Sequence, residues 1–582
     1  MWSMIMRFIP SWSVLLQGGF IIGFPILLTR AMSWIRISDG RLGTRTRKAS
    51  GRKGGGVPAG IQNGAEKDQT HLKNRDQGDE ASDQSQAVPG MVYSGRFAED
   101  LQLFKNISDD MADINLRELR IGSLQLRAVL FFVDGLTDKD GMDRNILKPL
   151  MNAVRPFEGM NTAPEPQALK DIIVHQIVLV SEIEYTRDPV KSLEKVLFGS
   201  VVLLVDGMAE VLILGTPKGR TRVGEEPVSE ALLRGPRIGF NETLSDNTAM
   251  LRRQGQNTEL AMISFTVGKR IQKELVLTYI RDIANEELVA EVKRRIRTID
   301  VDDVQESGFV EQLIEDNFLS PFQQIQNTER PDRVMAALLE GRVAILLDGT
   351  PFVLIMPVTF GMLLQSPEDY YDRWYAGSLL RSLRFLAASL SLFAPALYIS
   401  FISFHPGLIP TRLAISIISS RQGVPFPSLI EALIMEISIE ILREAGLRLP
   451  KPIGPAMGIV GGLIIGQAAV EAGIVSPILV IVVAVTAISS FSVPMYSAGI
   501  TMRFLRFLAM FFAATFGLYG VIMFFLLLSS HLLKLKSFGV PYLGMIAPNQ
   551  IRDWKDFIIR MPLQFLRKRP ALIKPKDPRR KG

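Results

Sequence analysis

Long stretches without a single charge occupy the last third of this chain and set the limits on what it can become. Phe385 to Phe404 is twenty uncharged residues. Met457 to Val470 and Ala472 to Met502 are separated only by Glu471, and Phe507 to Ser530 forms a further block. About 20 apolar residues are enough to cross a hydrocarbon core as a helix. The pattern predicts a multi-pass α-helical membrane domain preceded by a mixed α/β soluble domain.

Composition excludes several chemistries. With no cysteine, thiol catalysis, disulfides and thiolate metal sites are ruled out. The four histidines, His71, His175, His405 and His531, lie far apart and lack metal-site spacing. No Walker lysine motif, dinucleotide glycine loop or HExxH is found, and Gly215-Thr-Pro-Lys-Gly-Arg220 reads as a basic turn after a strand. The expectation is no enzyme, no cofactor and no metal. Interleaved charges of both signs offer no nucleic-acid stripe. Much of the formal charge of +7 sits after Arg560, in a tail expected on the cytoplasmic side, where it also meets membrane lipid.

Five regions follow. Residues 1–30 hold an apolar run, Phe8 to Thr29 between Arg7 and Arg30, readable as a membrane anchor, as sequence upstream of the true start, or as a signal peptide without a clean cleavage site. Residues 31–95 are poor in large apolar side chains and read as a disordered linker. Residues 96–380 form the expected α/β cytoplasmic domain, 381–535 a membrane domain with about four spans, and 536–582 the basic C-terminal tail.

Within the α/β part, Leu101 to Ile107 and Ile114 to Leu119 show helix-like spacing, and Leu124 to Val133 reads as a strand ending at Asp134-Gly135. Val201 to Leu214 and Val343 to Met356 each contain an Asp-Gly between apolar runs, a strong hairpin signal because glycine takes the positive φ of the turn. The three aspartates are read as turn chemistry. Lys269 to Arg297 and Val304 to Asn317 are expected helices. Val343 to Leu364 is read as a hairpin leading to the membrane surface, its length interrupted by Asp348.

The membrane part opens with a span kinked at Pro395. Leu429 to Leu449 is amphipathic, with Glu436, Glu440 and Glu444 four apart on one helical face and Glu431 off it. Gly446 and Pro450 are expected to end this helix. The carboxylates suit either a cation-attracting pore or gate in an oligomer, or a helix lying flat at the interface. They also have Arg443 and Arg448 within pairing distance along the chain. Gly461, Gly462 and Gly466 suggest a close helix-packing face. Ser476-Pro477 breaks the next run, and Phe507 to Ser530 is the last expected span. Four spans put Arg503 and Arg506 on the outer side, against the positive-inside tendency.

Glu226-Pro-Val-Ser-Glu-Ala-Leu-Leu-Arg-Gly-Pro-Arg-Ile-Gly-Phe-Asn-Glu242, Asn247 to Arg253, Thr328-Glu-Arg-Pro-Asp332, Leu339 to Ile345, Asp348 to Pro351, Glu368 to Tyr371, Pro425 to Pro427, Glu440 to Pro450 and Gly461 to Val470 together resemble the spore germination protein family. The resemblance is to the A-type subunit of nutrient germinant receptors of endospore-forming bacteria, and it extends from about residue 100 to 550. It departs at Ile238, where the family usually carries an acidic residue, and at the apolar N-terminus. It implies a subunit of the spore inner membrane working with a transporter-like B-type and a lipoprotein C-type subunit. It also implies that the B-type partner binds the nutrient germinant, while the A-type subunit forms a homo-oligomer that conducts ions. The alternatives are a secondary transporter, for which the chain has too few spans to show inverted repeats, and a non-conducting membrane scaffold.

Overall fold

The computed structural model describes residues 92–154, 164–217, 229–255, 257–448, 466–544 and 556–580, with positions 157, 226, 227 and 462. The apolar segment 1–30, nearly all of the expected linker, part of the Gly215–Arg220 turn, Gly461 and Pro450 lie outside them.

The α/β part is two lobes of one plan. In the first, helix α1 (Phe97–Ile107) precedes hairpin β1 (Ile114–Ile121) and β2 (Leu126–Val133). Helical turns, strand β3 (Ile183–Thr186), helix α2 (Pro189–Leu197) and hairpin β4 (Val201–Val205) and β5 (Val211–Leu214) follow. The antiparallel sheet runs β1-β2-β4-β5-β3. The second lobe has helix α3 (Leu244–Gln254), hairpin β6 (Leu260–Val267) and β7 (Lys273–Ile280), and helices α4 (Glu286–Arg297) and α5 (Ser307–Ile314). Strand β8 (Gln326–Thr328), helix α6 (Pro331–Leu338) and hairpin β9 (Val343–Leu347) and β10 (Val353–Met356) complete it. Its sheet runs β6-β7-β9-β10-β8, the same order.

The duplication is written in the residues. Thr186, Pro189, Gly199, Asp206 and Gly207 have counterparts at identical spacing in Thr328, Pro331, Gly341, Asp348 and Gly349. Each threonine hydroxyl accepts a backbone N–H two residues on, from Asp188 at 3.0 Å and from Arg330 at 3.1 Å, and so leads the chain into α2 and α6. Gly207 and Gly349 turn the hairpins at φ 84° and 87°, backbone angles that side chains disfavour.

Central strands buried on both faces read as unbroken apolar runs. Along β2, Ala128, Leu130 and Phe132 join the core under the helical turns, and Val129, Phe131 and Val133 join the core under α1 and α2. Phe104 of α1 stacks on Phe131 with ring centroids 3.8 Å apart.

Two local expectations are corrected. Ile114 to Leu119 is a strand, not a helix: it forms the edge of the first sheet, paired with β2 from Ile114↔Val133 to Ile121↔Leu126. Lys269 to Arg297 is a helix only from Glu286; its first part is β7, whose partners β6 and β9 complete the sheet. In both places cross-strand pairing overrides a local spacing that also fits a helix. The helix at Leu101 to Ile107, the strand before Asp134 and both Asp-Gly hairpins are present as expected.

The C-terminal region is helical: α7 (Trp374–Ser403), α8 (Thr411–Arg421), α9 (Ser428–Arg448), α10 (Pro477–Phe491), α11 (Tyr496–Phe516) and α12 (Leu518–Lys534). Ala396, Ala509 and Ala513 lie in its core, where small side chains let helices approach closely. Among the described residues, α7 and α11 are long and apolar enough to cross a membrane; α10 and α12 are apolar but shorter. The expected single span Phe507 to Ser530 is instead divided at Gly517 (φ 60°). A continuous helix would separate Phe512 and Phe524 by about 18 Å, yet their ring centroids lie 5.5 Å apart, so α12 folds back on α11. Only glycine fits at this turn, because a Cβ there would stand 2.8 Å from Phe404. Helix α9 continues through Gly446 to Arg448.

The described basic tail packs on the second lobe. Ile573 enters that lobe's core. Arg569 Nε donates to the Leu339 carbonyl at 2.7 Å, Arg580 pairs with Glu340 at 2.6 Å, and the Lys576 N–H donates to the Ile283 carbonyl at 2.9 Å.

Candidate functional site

Helix α9 carries four carboxylates through an apolar region, and each meets a cation. Charge in such surroundings is tolerated when it is paired and hydrogen-bonded. Glu431, fully buried, accepts the Ser476 backbone N–H at 2.5 Å and meets Arg421 at 3.3 Å. Ser476 is the N-cap of α10, its hydroxyl in a 3.0 Å hydrogen bond with Tyr398 of α7. Glu431 therefore places a negative charge at a helix N-terminus, where the backbone dipole favours it.

The three residues of the expected stripe stand in a gradient of burial. Glu436 ion-pairs with Arg506 of α11, each side chain 3% exposed. Glu440 is shared between Arg503 at 3.1 Å and Arg443 at 2.8 Å. Arg443 also donates to Ser490 of α10 at 2.9 Å and lies over the Phe491 ring. Glu444 is exposed and pairs within its own helix, with Arg448 at 2.7 Å. The spacing explains the pattern: Glu436 and Glu440 are one turn apart on α9, and Arg503 and Arg506 nearly one turn apart on α11. The numbering runs in opposite directions, so the two helices cross antiparallel through a two-rung ladder of charge.

The expected pairing of carboxylates with Arg443 and Arg448 is present. The pairing with Arg503 and Arg506 shows in the sequence only as a topological oddity. Two arginines three apart in an otherwise apolar block, facing two glutamates four apart in another, are the available signal. Glu431, off the face of the stripe, is the most deeply buried of the four. Of the glycines, a Cβ on Gly466 would make an ordinary contact with Val480 at 3.6 Å, and one on Gly462 would meet nothing within 4 Å among the described residues. Gly461 lies outside the described residues.

A second buried cluster joins the α/β lobes to the helices. Arg381 of α7, wholly buried, meets Asp369 at 3.0 Å and Asp556 at 2.8 Å, and Arg384 meets Asp369 at 2.7 Å. The Tyr370 hydroxyl donates to Asp556 at 2.7 Å, and Arg560 donates to the Asp372 carbonyl at 2.9 Å. Burial pushes both the Asp556 carboxyl and the Tyr370 hydroxyl upward in pKa. The start of α7, the segment before it and the C-terminal segment are thereby held at one point.

A duplicated α/β domain locked by buried charge to an apolar helical region defines a protein of two coupled parts. The chain belongs to the Bacillus/Clostridium GerA spore germination protein family, whose model matches residues 102–572. It is 44% identical over 479 residues to spore germination protein GerLA of Bacillus cereus, covering 82% of this chain and 96% of that one. It is 48% identical over 374 residues to spore germination protein A1 of Bacillus subtilis (strain 168), covering 64% and 78%. An uncharacterized membrane protein of the same strain, YfkQ, is 41% identical over 82% of this chain and 91% of its own. The crystal structure of the N-terminal domain of the A subunit of the Bacillus megaterium spore germinant receptor GerK3 matches at 31% identity and a TM-score of 0.36, covering 46% of this chain and 97% of that one.

Proposed function

We propose that this chain is the A-type membrane subunit of a spore nutrient germinant receptor and takes part in nutrient sensing and the ion release that triggers germination. Its relatives are named spore germination proteins over most of their length, and YfkQ is named a membrane protein. On this reading the helical region crosses the spore inner membrane several times. Trp374, Tyr375 and Tyr496 are exposed at the lobe-side ends of α7 and α11, where an aromatic belt meets headgroups. The α/β lobes and the tail are cytoplasmic. The chain assembles with itself and with B-type and C-type subunits, and the B-type partner binds the nutrient.

Helix α9, with Glu436, Glu440 and Glu444, is the proposed ion path and gate. The observation that carries this is the charge ladder from α9 to α11: costly charge is retained deep among apolar helices, where function is its usual reason. Gly466 is kept as a packing position beside it. The same ladder favours a second reading, a non-conducting scaffold, because Glu436 and Glu440 are neutralised within the protomer. A structure of the assembled complex separates the two. The carboxylates line a central axis if α9 is a pore helix, and stay locked to the arginines of their own protomer around no axis if it is a scaffold.

A further inference from the structure

The loop that follows α5 exposes large apolar side chains where the second lobe meets the ends of the helices. Val310 and Ile314 of α5 bury into the lobe, while Phe309 and Leu313, four apart on the opposite face, are exposed. Phe318 and Leu319 follow at 78% and 79% exposure. A single exposed apolar residue needs no explanation, but two neighbours as fully exposed as Phe318 and Leu319 do.

Their position is fixed on both sides. Asp316, just before them, accepts from Arg295 at 2.7 Å and from the Phe538 backbone N–H. Just after them, the Ser320 hydroxyl lies 2.9 Å from His531 near the end of α12, and the Pro321 carbonyl accepts from Thr501 near the start of α11 at 2.5 Å. Phe322 then enters the helical core. Phe318 and Leu319 thus stand at the level where the apolar helices end. Leu533 and Lys534 are exposed on the adjoining end of α12, apolar beside basic, the pairing that suits acyl chains beneath phosphate.

We propose that Phe318 and Leu319 form a membrane-contacting surface that inserts into the headgroup–acyl boundary of a phospholipid bilayer on the lobe side. This rests on the reading of α7 and α11 as spans. It seats the second lobe on lipid in addition to its contacts with α7, α11 and α12. The segment 316–322 then ties bilayer, lobe and the ends of α11 and α12 together.

The absence of cysteine makes the test direct. Leu319→Cys and, separately, Phe318→Cys in the full chain are spin-labelled and reconstituted into phosphatidylcholine–phosphatidylglycerol liposomes. Collision with oxygen and with a water-soluble nickel complex is compared with labels at Phe504→Cys on the exposed face of α11 and Leu179→Cys on the exposed surface of the first lobe. The surface predicts nickel accessibility at 318 and 319 several-fold below that at 179, with oxygen accessibility raised toward that at 504. Nickel accessibility equal to that at 179, while 504 reads as lipid, overturns the surface and leaves the spans standing. Dipolar broadening between labels on two copies assigns the patch to self-association and also overturns it. A label at 504 that reads as water removes the spans themselves, and the surface with them.

Discussion

Arg506 of α11 ion-pairs with Glu436 of α9, and the two side chains are equally buried. One rung away, Arg503 reaches Glu440. Both arginines lie inside α11, whose start is held against the second lobe through Thr501, so their expected place on the outer side is corrected: they answer carboxylates on a neighbouring helix. Removing one partner leaves an uncompensated charge in apolar surroundings. Glu436→Ala and Arg506→Ala should each destabilise the helical region by about 3–5 kcal/mol. The charge-swapped double variant Glu436→Arg, Arg506→Glu should recover a large part of that. Thermal unfolding in detergent reads the result, and additive losses in the double variant would mean that the two residues are not coupled.

The junction cluster should behave as a unit. Asp369 compensates both Arg381 and Arg384, so Asp369→Asn takes the carboxylate from Arg384 and leaves the wholly buried Arg381 with Asp556 alone. The expected outcome is a loss of about 3 kcal/mol or more and faster protease cleavage between Tyr371 and Trp374. Protection equal to wild type would show that the lobes and α7 are held together elsewhere.

Gly517 carries a backbone-level prediction. At φ 60°, with the Phe404 side chain 2.8 Å from where a Cβ would sit, Gly517→Ala meets strain and a clash together. It should cost more than about 1–2 kcal/mol. Gly407→Ala is the control, since a Cβ there meets nothing within 4 Å, and its melting temperature should match wild type or exceed it slightly.

Stability should fall with rising pH around neutrality. Burial, with the neighbouring charges of Glu315 and Glu306 adding to it and a Gln323 hydrogen bond opposing it, pushes Glu311 up to about 7. Glu315, beside Asp316, is likewise raised to about 7 by burial. A carboxyl with a raised folded-state pKa binds its proton more tightly when folded. Its contribution is fully present below about pH 4.5 and is lost as pH rises through 7. The stability of the α/β region should therefore drop between pH 5 and 8, by on the order of 3 kcal/mol, carried mainly by Glu311 because solvent screens the half-buried Glu315. Glu311→Gln should flatten that slope; an unchanged slope would assign it to other groups.

The parts of the fold visible in the sequence are those set by local chemistry. Asp206-Gly207 and Asp348-Gly349 announce their hairpins because a positive φ admits few residues, and Ser476-Pro477 marks the break in the apolar run at which α10 begins. What escapes depends on partners distant in sequence. Ile114 to Leu119 is a strand because β2 offers it an edge, and Phe507 to Ser530 turns at Gly517, where Phe404, distant in sequence, leaves no room for a Cβ. The carboxylates of α9 are visible from their four-residue spacing. Their neutralisation by Arg503 and Arg506 depends on two helices crossing, which periodicity along one helix does not encode.

Cation efflux from liposomes containing the reconstituted chain tests whether α9 lines an ion path. Glu436→Lys, Glu440→Lys and Glu444→Lys are each compared with wild type at equal protein level. Wild type should show cation-selective efflux, and the variants a reduced rate or a shift toward anions. Exposed Glu444, paired only within its own helix, should change selectivity with the least effect on stability. Efflux and selectivity unchanged in all three variants would contradict the claim.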